Sequence, residues 1–463
     1  MSQDKPLNTA INAATAAAPD DHRDRIAQLG DIAQRMLALA RAGGASQAEV
    51  SCSEERGLNV GVRMGEVETV EATRDRGIGL TVYFGRRKGS ASTADLREES
   101  LRATVEQACA IARFTEEDPA AGLADAALMA TEIRDFDTWH PWPLDAERAA
   151  ALALACESAG REHDARIGNS DGASVGSGES LGVYANTHGF SGASRDTRHS
   201  IGCGLIAGSG EAMQRDGWYS TALAEQDLES PAAIGRKAAR RALARLDPRP
   251  IPTGEHPVLF SAEMARSLIG HLLGAVSGGA LYRRASFLLD SAGERIFPSW
   301  FEIRERPLLP SGFRSSSFDD EGVVTRDSAL VEDGVLQRYL LGSYSARKLG
   351  LQSTGNAGGV HNLDVAANAG GFEELLRTMG RGLVVTELMG QGVNTVTGDY
   401  SRGASGFWVE RGEIVHAVDG ITVAGNLRAM FHDIQAVGSD IDPRSHVRTG
   451  SILVGRMTVA GGD

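Results

Sequence analysis

The chain has 463 residues, of which 42% are hydrophobic and 23% charged, so it is long enough for two or three domains with sizeable cores. Its net charge of -14 and pI ≈ 5.3 argue against a nucleic-acid partner, because phosphate binding requires a basic surface. No stretch approaches the ~18 to 20 apolar residues of a membrane helix, so no membrane association is expected.

The cysteines and the N-terminus indicate a cytoplasmic protein. Four widely spaced cysteines form no CxxC pair, which disfavours both a zinc pattern and a disulfide scaffold and favours a reducing compartment. Residues 1–20 are rich in Ala, Asn and Thr and have no continuous apolar core, unlike a signal peptide. We expect these residues to form a flexible tail.

From Asp21 onwards, helical and strand patterns alternate. Apolar residues recur at helical spacing over 26–40, 94–113, 145–160 and 231–246. Antiparallel strands are predicted within 58–84 and again in a meander over 166–220. These elements predict an N-terminal α+β domain over 21–246, divisible near 125–145 into two subdomains.

A proline-rich segment predicts the main domain boundary. Four prolines lie within 248–257, and neither a helix nor a central strand accepts such a run, so 247–257 is predicted to be a linker. A mostly buried helix over 261–276 follows it. The remaining sequence is largely β, with a hairpin at Asp333-Gly334 and short helices at 343–349 and 372–379.

The predicted fold class is therefore α+β, with an N-terminal α/β domain of antiparallel meanders and helices and a C-terminal, mainly antiparallel β domain over 258–463. The densest part of the second domain begins with the apolar, β-branched run Gly382 to Met389, which predicts a buried strand. Glycines at 390, 392, 398, 403 and 406 then separate segments of strand length, as in strands joined by tight turns.

Several short motifs match enzyme patterns without the structural context that the chemistry needs. The GxGxxA segment Gly202 to Ala207 continues a strand and precedes no helix that would hold a pyrophosphate. The overlapping GxSxG matches at Ser170, Ser174 and Ser180 lie in a meander rather than at a strand-to-helix turn. Ser345 and Lys348 form an SxxK pair, but a solvated lysine explains it better.

Metal-binding patterns are equally weak. No HExxH motif occurs, and His271 is the only histidine in the helix 261–276, where Leu272 follows it instead of a glutamate. A lone histidine on an apolar helix is more often a core residue than a ligand, so His271 is only a weak metal candidate. The consecutive acids after Phe318, up to Glu321, predict a solvated turn. The residues by themselves assemble no catalytic constellation.

Five segments, taken in order, closely resemble the PmbA (TldE) branch of the TldD/PmbA metallopeptidase family. They are Ser343-Tyr-Ser-Ala-Arg-Lys-Leu-Gly, Ser353-Thr-Gly-Asn-Ala-Gly-Gly, Gly382-Leu-Val-Val-Thr-Glu-Leu-Met-Gly-Gln-Gly-Val, Thr397-Gly-Asp-Tyr-Ser-Arg-Gly-Ala-Ser-Gly-Phe-Trp-Val-Glu and Ile421-Thr-Val-Ala-Gly-Asn-Leu. The resemblance implies a cytosolic heterodimer of a TldD-type and a TldE-type subunit. Such heterodimers degrade unfolded peptides and mature some peptide antibiotics.

The same resemblance implies that zinc is bound by the partner and that this chain carries no cofactor. TldD-type chains have a helix with HExxxH and a C-terminal cysteine that helps to bind zinc. The corresponding helix here keeps His271 but has lost the Glu and the second His, and 441–461 contains no cysteine. Peptidases of this kind need both metal ligands and a carboxylate that activates water.

The sequence therefore leaves two main functions open. In the first, the chain shapes the substrate cavity of a metallopeptidase whose other subunit carries HExxxH. In the second, it is a non-catalytic peptide-binding or regulatory homodimer. An independent hydrolase that uses Ser345 and Lys348, or a metal site not recognised in the sequence, comes last. The residues expected to face the cavity or the partner are the following: Gly390, Gln391, Gly392, Asp399, Tyr400 and Arg402.

Overall fold

The computed structural model describes residues 22–461, so the predicted tail at 1–20 lies outside the described residues. The chain divides after Leu246 into two compact units. Within the described part of the chain, every helix is too short or too polar to cross a bilayer.

The first unit is built on a six-stranded antiparallel sheet in the order β3-β2-β1-β4-β5-β6. Its elements are α1 (His22–Ala42), β1 (Gln47–Arg63), β2 (Glu66–Phe84), β3 (Arg87–Thr93), α2 (Glu98–Phe114), α3 (Ala146–Arg161), β4 (Ile167–Asn186), β5 (Ser191–Ala207), β6 (Gln214–Ala222) and α4 (Pro231–Ala244).

The helices of this unit form two separate cores along the same strands. Helices α1 and α2 pack on Val50 and Cys52 of β1, whereas α3 and α4 pack on Val60 and Val62 further along that strand. Because side chains alternate along a strand, residues 50, 52 and 60 project from the same face of the sheet. Between the two cores this face carries Glu54 and Arg56.

The second unit contains two sheets. Its elements are β7 (Gly254–Phe260), α5 (Ala262–Ala275), α6 (Gly278–Tyr282), β8 (Ile303–Glu305), β9 (Ser328–Glu332), β10 (Val335–Leu336), α7 (Ser343–Leu349), β11 (Leu363–Val365), α8 (Phe372–Met379), β12 (Gly382–Met389), β13 (Asp399–Glu410), β14 (Glu413–Asn426), α9 (Leu427–His432), β15 (Ile434–Val437), β16 (Val447–Arg448) and β17 (Ile452–Ala460).

The larger sheet of this unit closes on itself. Its order is β14-β13-β12-β7-β17-β15, and an additional pairing of β14 with β17 joins the first strand to the fifth. The smaller sheet has the order β10-β9-β8-β11-β16. Helix α5 packs into the main core through Leu268, Ile269 and Leu272. This mixed architecture, with antiparallel sheets and helices and a β-rich second half, confirms the predicted fold class.

The predicted linker ends too late. Strand β7 begins at Gly254, so Pro257 lies inside a strand of the larger sheet. Proline has no N–H to donate to a neighbouring strand. On one side of β7, pairing with β12 starts only at Val258. On the other side, β17 has a bulge between Val454 and Met457, opposite Pro257. The missing N–H donor of Pro257 therefore interrupts no regular ladder of hydrogen bonds between strands.

Two of the glycines expected at turns also lie inside a strand. Gly403 and Gly406 belong to β13. A Cβ at Gly406 would lie 1.8 Å from the Val384 carbonyl oxygen, so this glycine permits the close approach of two strands rather than a turn.

Candidate functional site

The six candidate residues lie in one hairpin. Gly390, Gln391 and Gly392 open the connection from β12 to β13, and Asp399 is the first residue of β13. The connection folds back on the strand, because the Ser401 N–H donates to the Gly392 carbonyl at 2.7 Å and residues 393 and 400 form a bridge. A Cβ at Gly392 would lie 2.0 Å from the Ser401 carbonyl oxygen, so only glycine fits this position.

The six residues face different surroundings. Gly390, Gln391, Gly392 and Asp399 are exposed, and Asp399 Oδ2 accepts a hydrogen bond from the Thr397 hydroxyl at 2.6 Å. Tyr400 is only 2% exposed, and Arg402 is half-buried two residues further along the same strand face. Only these last two point towards helix α5.

Tyr400 and Arg402 meet Ser267 and His271 of helix α5, and we name these four residues the α5–β13 cluster. The Tyr400 ring contacts the His271 imidazole edge to face, with centroids 5.8 Å apart. Arg402 Nη1 donates to Ser267 Oγ at 3.1 Å, one turn before His271. Arg402 Nε and His271 Nε2 are buried atoms with no hydrogen-bond partner.

The electrostatics of this cluster keep its histidine neutral. Burial lowers the pKa of His271, and the positive charge of Arg402 lowers it further. Burial likewise raises the pKa of Tyr400 to about 12, although Arg402 opposes that change. The cluster therefore presents one permanent cation, a neutral imidazole and a phenol.

The residues around His271 do not fit a zinc ion. Protein zinc sites use three or four His, Cys, Asp or Glu ligands, and across residues 22–461 no three such side chains gather in positions that would hold a metal. The charged neighbour of His271 is the Arg402 guanidinium, which repels a divalent cation.

A cavity of about 590 Å³ lies at the C-terminal end of α5, and we call it the α5 cavity. Gly274 and Ser277 line it where α5 ends, and residues 278–279 and 356–360 form much of its wall. Arg314 and Glu321 contribute charged groups. None of the six predicted residues lines this cavity, and neither does His271.

A buried polar network supports one wall of the α5 cavity. The Glu305 carboxylate accepts hydrogen bonds from Asn356 Nδ2 at 2.9 Å, from the His361 N–H at 2.8 Å and from Arg338. Burial by itself would raise the pKa of Glu305, but the bonds from His361 and the charge of Arg338 lower it to about 2. This ionised carboxylate fixes Asn356, which lines the cavity.

The α5 cavity was not predictable from the patterns in the sequence. Its only local signals were the glycine pairs at 278–279 and 358–359, of which Gly278 and Gly358 permit close packing against Ser345 and Asp320. The solvated turn predicted at 318–321 is wrong for Asp319, which is 3% exposed and accepts hydrogen bonds from the N–H groups of Glu321, Val323 and Ala357. Burial raises the pKa of Asp319 to about 6.

The serine motifs form no nucleophilic site. The Ser345 hydroxyl donates to the Gly342 carbonyl at 3.0 Å, whereas the Lys348 ammonium lies over the Tyr344 ring. Ser170, Ser174 and Ser180 all lie within strand β4, where a nucleophile elbow cannot form. Gly202 to Ala207 lies within strand β5, as predicted.

A second cavity of about 880 Å³ lies beside strand β17, where β14 and β15 leave a gap on the same edge of that strand. Met379, Met430 and Met457 line it together with charged rim residues. It is larger than the α5 cavity but lies away from the α5–β13 cluster, since neither α5 nor residues 390–402 line it.

Family models match three consecutive regions of the chain. They describe domain 1 of the PmbA/TldA metallopeptidases over 48–112, the central domain over 139–246 and the C-terminal domain over 253–461. Metalloprotease PmbA of Escherichia coli O157:H7 is 48% identical over 425 residues, which cover 92% of this chain and 94% of that protein.

Solved structures share the fold. One is a Bacteroides thetaiotaomicron protein that is named a candidate modulator of DNA gyrase. Its TM-score is 0.89 at 26% sequence identity, and the match covers 93% of this chain and 98% of that chain. TldE from Thermococcus kodakarensis has a TM-score of 0.79 at 20% identity, covering 93% of this chain and all of that one (100%). The second comparison concerns the fold only.

Proposed function

The chain belongs to the PmbA branch of the TldD/PmbA metallopeptidase family, and on that premise we propose that it is the zinc-free subunit of a cytosolic heterodimeric metallopeptidase. Its partner is a TldD-type subunit whose HExxxH helix binds the zinc. The substrates are unfolded peptides or peptide precursors, and this chain shapes the cavity in which they are held.

The observation that carries this proposal is the chemistry of helix α5. Where a metal-binding helix would present several ligands, α5 presents His271 between the Tyr400 ring and the side chain of Arg402. A guanidinium at this position favours anions and disfavours zinc. The chain therefore contributes to peptide cleavage through binding rather than through metal chemistry.

The α5 cavity is suited to hold main chain rather than particular side chains. Its volume of about 590 Å³ lies within the roughly 300–1,000 Å³ typical of small-ligand pockets. Glycine pairs at 278–279 and 358–359 line it with main-chain atoms only, and of these the N–H groups of Gly278 and Gly359 are bonded to the carbonyls of Leu340 and Asn356. Backbone groups pair with an extended peptide whatever its sequence, as a peptidase of unfolded chains requires.

The test is reconstitution. The chain is purified alone and together with a HExxxH-bearing homologue from the same organism, and zinc content and cleavage of an unfolded peptide are measured for both samples. We expect no bound zinc and no cleavage for the chain alone, and about one zinc and active cleavage for the pair, because zinc catalysis needs the ligands of the partner.

Two results would contradict the proposal. Stoichiometric zinc on the chain alone would show that the interpretation of His271 is wrong. Peptide capture by a homodimer, with no change in cleavage when the homologue is added, would instead support the non-catalytic binding function.

The hairpin residues are tested in the reconstituted pair. Replacing Tyr400 with Phe and Arg402 with Gln removes the polar groups that face α5 while leaving side chains of similar size. We expect peptide cleavage or heterodimer formation to weaken on the order of tenfold, equivalent to about 1.4 kcal/mol. Unchanged assembly and unchanged cleavage in both variants would exclude a role for this hairpin.

A further inference from the structure

In the first unit, a charged group separates the two hydrophobic cores on the helix-covered face of the sheet. It consists of Arg25 from α1, Glu54 and Arg56 from β1, and Arg74 and Arg76 from β2, and we call it the arginine group. Glu179 of β4 joins it through an ion pair with Arg25 at 3.1 Å.

Four guanidinium groups converge on the single carboxylate of Glu54. Arg25 Nε and Arg56 Nη2 approach Glu54 Oε1 at 3.1 and 3.0 Å, and Arg74 Nη2 lies 3.5 Å from the same oxygen. Arg76 Nε donates to Glu54 Oε2 at 2.9 Å. Glu54 is only 2% exposed, and these contacts hold its pKa below the ordinary value although burial alone would raise it.

The arrangement places like charges close together. Arg56 and Arg74 are directly opposite each other in the β1–β2 register, where two like charges destabilise a sheet. The four arginines carry four positive charges and Glu54 with Glu179 two negative ones, so the six named side chains have a net charge of +2. This excess occurs in a chain whose net charge is -14.

The group is accessible at the edge of the sheet. Strand β3 pairs with β2 only from Ile78 to Phe84, so Arg74 and Arg76 lie beyond the end of their outer neighbour. The side chains of Arg74, Arg56 and Arg76 are 55%, 30% and 29% exposed, whereas that of Arg25 beneath them is 7% exposed. Exposed guanidinium groups and a buried one are therefore gathered around the same carboxylate.

We propose that the arginine group is a binding site for a phosphate group, held by Arg56, Arg74 and Arg76 at the surface and supported by Arg25 and Glu54 beneath. A phosphate group carries about −1.5 to −2 charges at neutral pH and matches the excess of +2, whereas a single carboxylate neutralises half of it. Planar guanidinium groups bind phosphate oxygens through paired hydrogen bonds. The site is independent of peptide cleavage and does not depend on the function proposed above.

Inorganic phosphate is the probe, titrated calorimetrically into the full-length chain at neutral pH and low ionic strength. The test variant is R74Q/R76Q. The matched control is R102Q/R134Q, which removes the same charge from two exposed arginines of this unit that pair with Glu98 and Glu132. We expect the test variant to bind phosphate about tenfold more weakly or worse, equivalent to at least about 1.4 kcal/mol, and the control to bind as the parent does.

Competition identifies the chemistry of the ligand. Sulfate, a tetrahedral dianion, is expected to displace phosphate, and acetate at the same ionic strength is not. A parent chain that binds no phosphate, equal binding by R74Q/R76Q, or equal weakening in both double variants would each overturn the proposal. The single variant R74Q, altered at the most exposed of the four arginines, keeps the test valid if the double variant unfolds.

Discussion

At the scale of single residues, Glu305 makes the sharpest stability prediction. Its folded-state pKa of about 2 lies below the ordinary value of 4.5, so its carboxylate stabilises the fold above about pH 4.5, and this contribution is lost as the pH falls towards 2. We expect Glu305→Gln to lower the free energy of unfolding by about 3 kcal/mol at pH 7, because Arg338 then lacks its buried counter-charge.

Urea unfolding followed at pH 7 and at pH 3 measures this effect, and the difference between parent and variant should shrink at the lower pH. The matched control is Glu332→Gln, whose partner Arg304 lies 3.1 Å away on the same sheet with both side chains about half exposed. An exposed pair is worth about 0–1 kcal/mol, so the control should change little. Equal stability of the two variants at pH 7 would refute the assignment.

Single-residue contacts were also the least predictable feature of this chain. The sequence drew attention to Tyr400, Arg402 and His271 separately, but nothing in it indicated that they touch. Their contact depends on where β13 crosses α5, and that follows from long-range strand pairing. The four arginines around Glu54 escaped notice for the same reason, since Arg25 belongs to a different element.

At the scale of elements, helix α5 offers a matched pair of substitutions. Gly274 lines the α5 cavity, whereas Gly270 lies one turn earlier and does not; both are exposed, and a Cβ at either position would meet no atom within 4 Å. Leucine at either position should stabilise the helix by about 0.5–1 kcal/mol, because glycine is a poor helix former.

Only Gly274→Leu places its side chain at the cavity. We expect this variant to raise the KM for peptide cleavage by the reconstituted heterodimer on the order of tenfold, equivalent to about 1.4 kcal/mol. Gly270→Leu should leave KM unchanged, and thermal unfolding of both variants checks that the helix is intact. If KM responded equally to both substitutions, the α5 cavity would not be the peptide site.

Elements with strong local patterns were predictable from the sequence. The short helices at 343–349 and 372–379, the strand at 382–389 and the hairpin turn at Asp333-Gly334 all lie where periodicity and turn residues place them. Strand β7 was misread because Pro257 is normally excluded from such positions. The bulge in β17 that accommodates it lies almost two hundred residues later in the sequence.

At the scale of the whole molecule, the two units have separate hydrophobic cores. We expect residues 1–246 and 247–463, expressed as separate chains, each to fold and to unfold in a cooperative transition, because a unit with its own core meets the condition for independent folding. Circular dichroism during thermal unfolding measures this. If one fragment showed no cooperative transition while the full-length chain did, that unit would depend on the other for its folding.

The closed sheet of the second unit also determines when that unit can form during protein synthesis. Strand β7 is the first strand of this unit to leave the ribosome, yet the strands that pair with it are residues 382–389 and 452–460. At about 5–20 residues per second, the roughly 200 intervening residues take about 10 to 40 s, during which the apolar side chains of Val258, Leu259 and Phe260 lack their final cover. A nonsense mutation that removes β17 would take away one of the two partners of β7 and of β14, and it would leave β15 without the strand it pairs with in the described structure, so the codons for residues 452–460 are as necessary to this unit as those for β7.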